Sequence, residues 1–320
     1  MKIGLQLYHF HWPGSPGDIG QKVREMTETA DQTGFSSLWI MDHFYQLGRG
    51  FGPPEAVKVD APTMEAYATL SYMAGVTRRV KLGAMVTGNV YRHPGVLVKQ
   101  VTSLDILSAG RAILGMGAGW HKYEARGLGV PWPETVGERF SRLEEALMIA
   151  RHMWSGSREP FKGKHYHLEA PILSPPPLTK PHPPILVGGD GESRLLRLIA
   201  RHCDMCNFHI GGPVEGYPPV IHDWYANRVE RITRKMRKLR RLCDALGRSL
   251  DEIEVTVLAT VKVGPDAMTT SQIAALCREM AGLGVDHVVF NMPDAHKVKP
   301  IERIGLEVVP AVADVEAVKP

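Results

Sequence analysis

The chain has 320 residues, 44% of them apolar; this length holds two small domains or one large barrel-type domain, and the apolar share is ample for a full core. Lysine and arginine exceed aspartate and glutamate by 38 − 34 = 4, too small an excess to imply a nucleic-acid partner. No apolar run reaches the roughly 18–20 residues that cross a bilayer, and no signal-peptide pattern precedes a first strand at Ile3, so the expected setting is cytoplasmic, with no membrane partner.

Strand and helix patterns then alternate along the chain. Ile3–Leu7 reads as a strand, and a loop through His11, Trp12 and Gly14 leads to a helix with Ile19, Val23, Met26 and Ala30 on one face, stopped by Gly34. Ser36–Met41 is the second strand. A long Gly/Pro loop around Phe51 leads to a helix over about Met64–Ala74. Val80–Val86, a helix over about Gly95–Leu107 and Ala112–Met116 form a strand–helix–strand unit with both strands apolar throughout, as in a parallel sheet covered on both faces. The fourth helix carries Phe140, Leu143, Leu147, Ala150 and Trp154 on one face. From Gly156 to about Pro183 the proline-rich chain reads as an extended surface insertion, because proline donates no backbone hydrogen bond.

Ile185–Val187 is the fifth strand, followed by a helix over about Ser193–Arg201. Asp204–Phe208, a long helix through Ile232 and Leu246, Ile253–Val261, a helix over Ile273–Ala281, Val285–Phe290 and a final short helix before the tail complete the series. Eight strands alternating with eight helices, with no linker between two cores, indicate one (β/α)8 barrel over residues 1–320, with an insertion after helix four; a doubly wound sheet is the alternative. Cys203 and Cys206 have redox or metal spacing but sit in a short apolar strand, so buried reduced thiols are expected. The basic run 227–241 keeps its apolar residues on one stripe, which makes its charges a solvated helix face.

In such a barrel the functional groups stand after the strands. Those positions collect Tyr8, His9 and His11; Asp42 and His43; Thr87, Gly88, Asn89 and Tyr91; Gly117, Ala118, Gly119, Trp120 and Tyr123; Gly188, Gly189, Asp190 and Gly191; Asn207 and His209; and Asn291. Asp42-His43 is the best candidate for chemistry, since histidine exchanges protons near neutral pH and an adjacent carboxylate can orient it. His9, His11 and His43 resemble metal ligands, but no Asp, Glu or Cys completes a set, and no metal is expected. Gly117–Gly119 and Gly188–Gly191 each end a strand before a helix, where close backbone approach and free N–H groups suit a phosphorylated planar cofactor.

The segments SLWIMDHF, LGAMVTGNVYRHPGVLVKQVTSLDILSAGRAILGMGAGWHKYEARGLGVPWP, RFSRLEEALMIARHMW and PHPPILVGGDGESRLLRLIARHCDMCNF resemble the bacterial luciferase-like oxidoreductases, and among them the branch using the deazaflavin coenzyme F420. The resemblance implies a TIM barrel, a homodimer, and a non-proline cis peptide at Met85-Val86. It makes Met85, Val86 and Thr87 contacts of the cofactor ring, gives Gly117–Trp120 with Tyr123 and Gly188–Gly191 the phosphate end, places Asp42 on the ring and makes His43 the proton donor or anion stabiliser. F420 with hydride transfer to or from a small organic substrate is the first reading, an FMN-dependent monooxygenase the alternative, and a cofactor-binding protein without turnover the third. In the family's sugar-phosphate dehydrogenases a glutamate stands where this chain has Trp120, which points instead to an apolar or planar substrate. Tyr8, His11, Trp12, the loop around Phe51 and the insertion are the expected substrate walls.

Overall fold

The computed structural model describes residues 1–47, 58–264 and 266–320. Its strands are β1 (Lys2–Leu7), β2 (Ser37–Ile40), β3 (Lys81–Ala84), β4 (Thr87–Gly88), β5 (Ala112–Gly117), β6 (Phe161–Lys162), β7 (His167–Leu168), β8 (Ile185–Gly188), β9 (Met205–Gly211), β10 (Glu254–Thr260) and β11 (His287–Asn291). β3 and β4 are two pieces of one barrel strand. The hydrogen-bonded order β3-β2-β1-β11-β10-β9-β8-β5 closes on itself because β3 also pairs with β5 (Leu82 opposite Ala112). All of these pairs are parallel, giving the closed eight-stranded barrel that the alternating pattern requires.

The period of two along each strand decides what lies inside. Outward residues such as Leu5, Leu38, Leu114, Val257 and Phe290 pack under the helices in one continuous core. Inward residues Trp39, Ile113, Leu186, Met205, Leu258 and Val289, with Met85, fill the barrel interior. Two residues further along the inward rows come the polar side chains Asn207 and Asn291, at the end where the site forms.

At the opposite end a polar set closes the barrel. Glu254 accepts from Lys2 Nζ (2.6 Å) and from His287 Nδ1 (3.0 Å), while His287 Nε2 meets Ser37 Oγ at 3.0 Å. Trp39 Nε1 donates to the same Ser37 oxygen at 2.6 Å.

Between β3 and β4 the peptide Met85-Val86 is cis, as the family resemblance implies. The space for this bulge comes from glycine. A Cβ on Gly115 would lie 1.9 Å from the Ala84 carbonyl oxygen, and Cβ atoms on Gly117 and Gly188 would lie 2.7 and 2.8 Å from the Val86 methyls.

The helices around the barrel include α1 (Ile19–Gln32), α2 (Ala66–Val76), α3 (Pro94–Leu107), α4 (Lys122–Gly127), α5 (Val136–Trp154), α6 (Arg194–His202), α7 (Pro219–Ala226), α8 (Arg228–Asp244) and α9 (Thr270–Gly282). α4 and α7, both short, have no counterpart in the expected elements. Residues 156–183 are not extended throughout: β6 and β7 pair as an antiparallel hairpin before the proline runs begin, and Glu145 accepts the Lys164, His165 and Tyr166 N–H groups at its tip. Cys203 caps the end of α6 rather than lying in a strand, and all four cysteines are buried free thiols. α8 is not a purely solvated basic face, because Lys235 points inward and is 1% exposed. Among the described residues no helix is long and apolar enough to cross a membrane.

The floor of the barrel carries a pH signature. Burial opposes ionisation of Glu254, but His287 and Lys2 outweigh it and lower the carboxyl from 4.5 to about 2. A depressed carboxyl contributes stability above its unfolded value that is lost as pH falls through its folded value. Unfolding free energy from urea titrations should therefore decline between about pH 4.5 and 2, and Glu254→Gln should flatten that decline. An unchanged slope in the variant would assign the acid limb to other groups.

Candidate active site

A cavity of about 470 Å³ opens at the C-terminal ends of the barrel strands. Its back wall is the bulge, with Val86 seated between Gly117 and Gly188. Gly119 (φ 75°) and Gly189 (φ 140°) turn the two loops in backbone conformations that glycine adopts readily. One end of the cavity is bounded by His43, Tyr91 and Trp120, the other by Gly188–Gly191, Arg139, His209 and the first turn of α6.

Most of the expected cofactor residues meet here: Asp42, His43, Met85, Val86, Gly117, Ala118, Gly119, Trp120, Gly188, Gly189, Asp190 and Gly191 all line the cavity. Two do not. Thr87 is fully buried behind the wall, its Oγ1 within 2.9 Å of Tyr67 Oη. Tyr123 is 66% exposed on α4 and packs against Tyr45. The expected substrate wall also changes. Tyr8 lines the cavity, but His11 is exposed, and Trp12 is buried against His296 with its indole N–H on Asp18 (2.9 Å). The 156–183 segment supplies no cavity residue, Phe51 lies outside the described residues, and Tyr217, Ile221 and Trp224 from the chain after β9 take the place of those walls.

Asp42 does not orient His43. Its carboxylate takes both terminal nitrogens of Arg92 (2.6 and 3.0 Å), and Arg92 also binds Glu65 (2.5 Å) and lies over the Tyr67 ring. Complete burial pushes the Asp42 carboxyl up, against the pull of Arg92. The carboxylate on His43 is Glu124, which is 0% exposed: His43 Nδ1 lies 2.5 Å from its Oε1. The reading of adjacent residues as partners fails because each side chain is taken by a group from a neighbouring loop, Asp42 by Arg92 after β4 and His43 by Glu124 after β5. Arg92 and Glu124 carry no local signal beyond a polar residue beside a candidate loop.

His9, His11 and His43 do not converge. Among the described residues, the set with ligand-like spacing is His43, His121 and Glu124. Glu124 is already saturated there, accepting His43 and the Tyr91 hydroxyl on Oε1 and the Phe44 and Tyr45 N–H groups (2.9 and 3.2 Å) on Oε2.

At the other end, Asp190 accepts from Lys235 (2.6 Å), His209 (2.8 Å) and Arg231 (3.1 Å). Burial opposes its ionisation, yet His209 and Lys235 hold its carboxyl far below the ordinary range. Lys235 and Arg231, four apart on α8, thus belong to the site, a role the solvated-face reading missed. The cavity also retains unused acceptors. Asn207 donates to Thr256 (2.8 Å), leaving its Oδ1 buried without a partner, as is Asn291 Oδ1. A planar ring with N–H donors on one edge and a phosphate beyond it fits this arrangement of apolar wall, paired carbonyl acceptors, glycine loop and cations.

Comparisons with known proteins place the chain in a family and match its fold. Residues 1–299 match the family model described as luciferase-like monooxygenase. The chain belongs to that family and is an oxidoreductase of the luciferase-like class. An F420-dependent glucose-6-phosphate dehydrogenase of Kineococcus radiotolerans is 36% identical over 148 residues, covering 46% of this chain and 41% of the relative. An FMNH(2)-dependent dimethylsulfone monooxygenase of Pseudomonas putida is 28% identical over 201 residues, covering 62% and 51%. The chain thus spans less than two thirds of the length of either relative. Among solved structures, an F420-dependent secondary alcohol dehydrogenase in complex with an F420-acetone adduct superposes with a TM-score of 0.77 over 98% of this chain and 99% of that one, at 18% identity.

Removing one member of a buried ion pair strands the other, at a cost of about 3–5 kcal/mol. Arg92→Met should lower stability by about this amount, read from denaturant unfolding. A loss below about 1 kcal/mol, the scale of an exposed pair, would mean that Asp42 is accommodated without Arg92.

Proposed function

We propose that the protein transfers a hydride between coenzyme F420 and a small uncharged substrate with a hydroxyl or carbonyl carbon, with His43 carrying the accompanying proton. The observation that most favours F420 over FMN lies outside the cavity. Beside Glu192, which follows the Gly188–Gly191 loop, a groove of about 840 Å³ lies along α8, lined by Arg237, Lys238 and Arg241, while Arg234 is paired with Glu192 and Glu230 in the same lining. FMN ends at its phosphate, whereas F420 continues beyond it into a glutamate tail that such a groove would accept.

Within the cavity, the loop and Arg139 would hold the phosphate end, Val86 and Met85 would back the ring, and the free Asn207 and Asn291 oxygens would accept its N–H groups. Bound there, F420 would supply a two-electron hydride acceptor or donor. His43 and Trp120 bound the space left for substrate, and their ring centroids are 5.6 Å apart. Arg92, next to Tyr91, is committed to Asp42 and Glu65, and Lys122, two residues after Trp120, to Glu134. Those commitments, together with an indole at Trp120, favour an uncharged and partly apolar substrate over a sugar phosphate. The FMN-dependent monooxygenase remains the second reading, supported by the FMNH(2)-dependent relative. A homodimer, as the family resemblance implies, is proposed alongside it.

Titration of the protein with oxidised F420 and with FMN, followed by tryptophan quenching, separates the two readings. F420 should bind more tightly, and Arg237→Glu with Arg241→Glu should weaken F420 about tenfold, or about 1.4 kcal/mol, while leaving FMN unchanged. Preferential FMN binding would move the protein to the monooxygenase reading, and binding of neither would remove the cofactor assignment. With a bound cofactor, uncharged secondary alcohols or ketones should turn over, and glucose 6-phosphate should not.

A further inference from the structure

We infer that Glu124 is a positioning residue that fixes the proton on His43 Nδ1 and so presents Nε2 to the substrate; the inference rests on the hydride-transfer reading for its chemistry but not for its geometry. Glu124 sits in α4, a helix of six residues, and its carboxylate is fully buried. Each of its oxygens is engaged by two donors. Oε2 holds the Phe44 and Tyr45 N–H groups, which ties the loop after β2 in place. Oε1 takes the Tyr91 hydroxyl and His43 Nδ1. An ionised carboxylate only accepts hydrogen bonds, so the hydrogen between it and the imidazole belongs to Nδ1. His43 lines the cavity with Nδ1 engaged, which leaves the Nε2 lone pair as the basic atom on that side.

The groups facing His43 come from several elements. Glu124 and His121 approach from α4 and the residue before it, Tyr91 from the turn after β4, and Asp42 from the strand end, bound by Arg92. Burial drives the His121 imidazole down, toward its neutral form, and its Nδ1 lies 3.7 Å from Glu124 Oε1. Burial also works against the charge on Glu124, but its bonds to His43, Tyr91 and the Phe44 N–H hold the carboxyl below its ordinary value. A carboxylate that is charged, immobile and in contact with one imidazole face stabilises the imidazolium that forms when His43 takes a proton.

The proton balance of the reaction then closes on these two residues. When a carbinol is oxidised, the C–H electron pair leaves as hydride to the cofactor, the O–H bond breaks, its proton goes to His43 Nε2, and the C=O bond forms. Reduction of a carbonyl runs the same exchange backward. Glu124 keeps its charge throughout and takes no proton.

Ring-nitrogen NMR of the histidine-labelled protein without cofactor tests the geometry independently of activity. His43 should be the Nδ1–H tautomer in the wild type; an Nε2–H tautomer would overturn the inference, whether or not any variant folds. Turnover should fall about 10²–10³-fold in Glu124→Gln, in the range of general acid–base losses, with KM nearly unchanged. Glu124→Gln combined with His43→Asn should be no slower than His43→Asn alone, because the two act as one unit. Losses that multiply would make Glu124 a structural clamp only. Tyr91→Phe, which removes one of four donors, should keep the Nδ1–H tautomer. A failure to bind F420 or to transfer hydride, with the tautomer as expected, would count against the reaction assigned to the site and leave the positioning geometry standing.

Discussion

One valine between two loops sets the shape of this site. Val86 protrudes where β3 breaks from β4, and its methyls occupy the space that Cβ atoms of Gly117 and Gly188 would need. Gly115, one pleat lower, makes room for the Ala84 carbonyl. Protein interiors are close-packed, so a methyl at any of these positions would push the wall into the cavity or out of the sheet. The same glycines begin the two loops that bound the cavity. The packing requirement of the wall and the close-approach requirement of a ligand loop are therefore met by the same residues.

The electrostatics divide along the same wall. At one end Glu124 gathers His43, Tyr91 and two backbone donors; at the other Asp190 gathers His209, Arg231 and Lys235. Each acid, Glu124 fully buried and Asp190 partly so, is matched to its donors, as a carboxylate in a low-dielectric setting must be. The first set leaves an imidazole nitrogen for proton exchange. The second draws two cationic side chains and an imidazole toward the mouth of the glycine loop and the head of the α8 groove. In the proposed reading chemistry and anchoring fall to separate charge clusters, an arrangement in which the substrate end can vary without disturbing the cofactor end.

Much of this was legible in the sequence because it depends on local pattern. Apolar strands alternating with striped helices specify the barrel, and glycine pairs at strand ends mark both loops. Thr87 and Tyr123 were misplaced by one step of geometry: a strand residue next to the bulge turns away from it, and a helical residue one position from Glu124 faces outward. Glu124 and Arg92 were not legible, because their partners lie 81 and 50 residues away and no spacing rule links them. Lys235 was hidden in a run of like charges, where only the i, i+4 relation to Arg231 hints that two of the cations share an inward face. The adjacency of Asp42 and His43 was misleading because each neighbour is held by a partner distant in sequence.

Hydride transfer and oxygenation differ in where the substrate's hydrogen goes. A secondary alcohol carrying deuterium on its carbinol carbon, incubated with the protein and oxidised F420 under labelled dioxygen, should deliver one deuterium to the cofactor per ketone formed, with no label from dioxygen in the product. Labelled oxygen in the product, and no deuterium on the cofactor, would contradict hydride transfer and identify a monooxygenase.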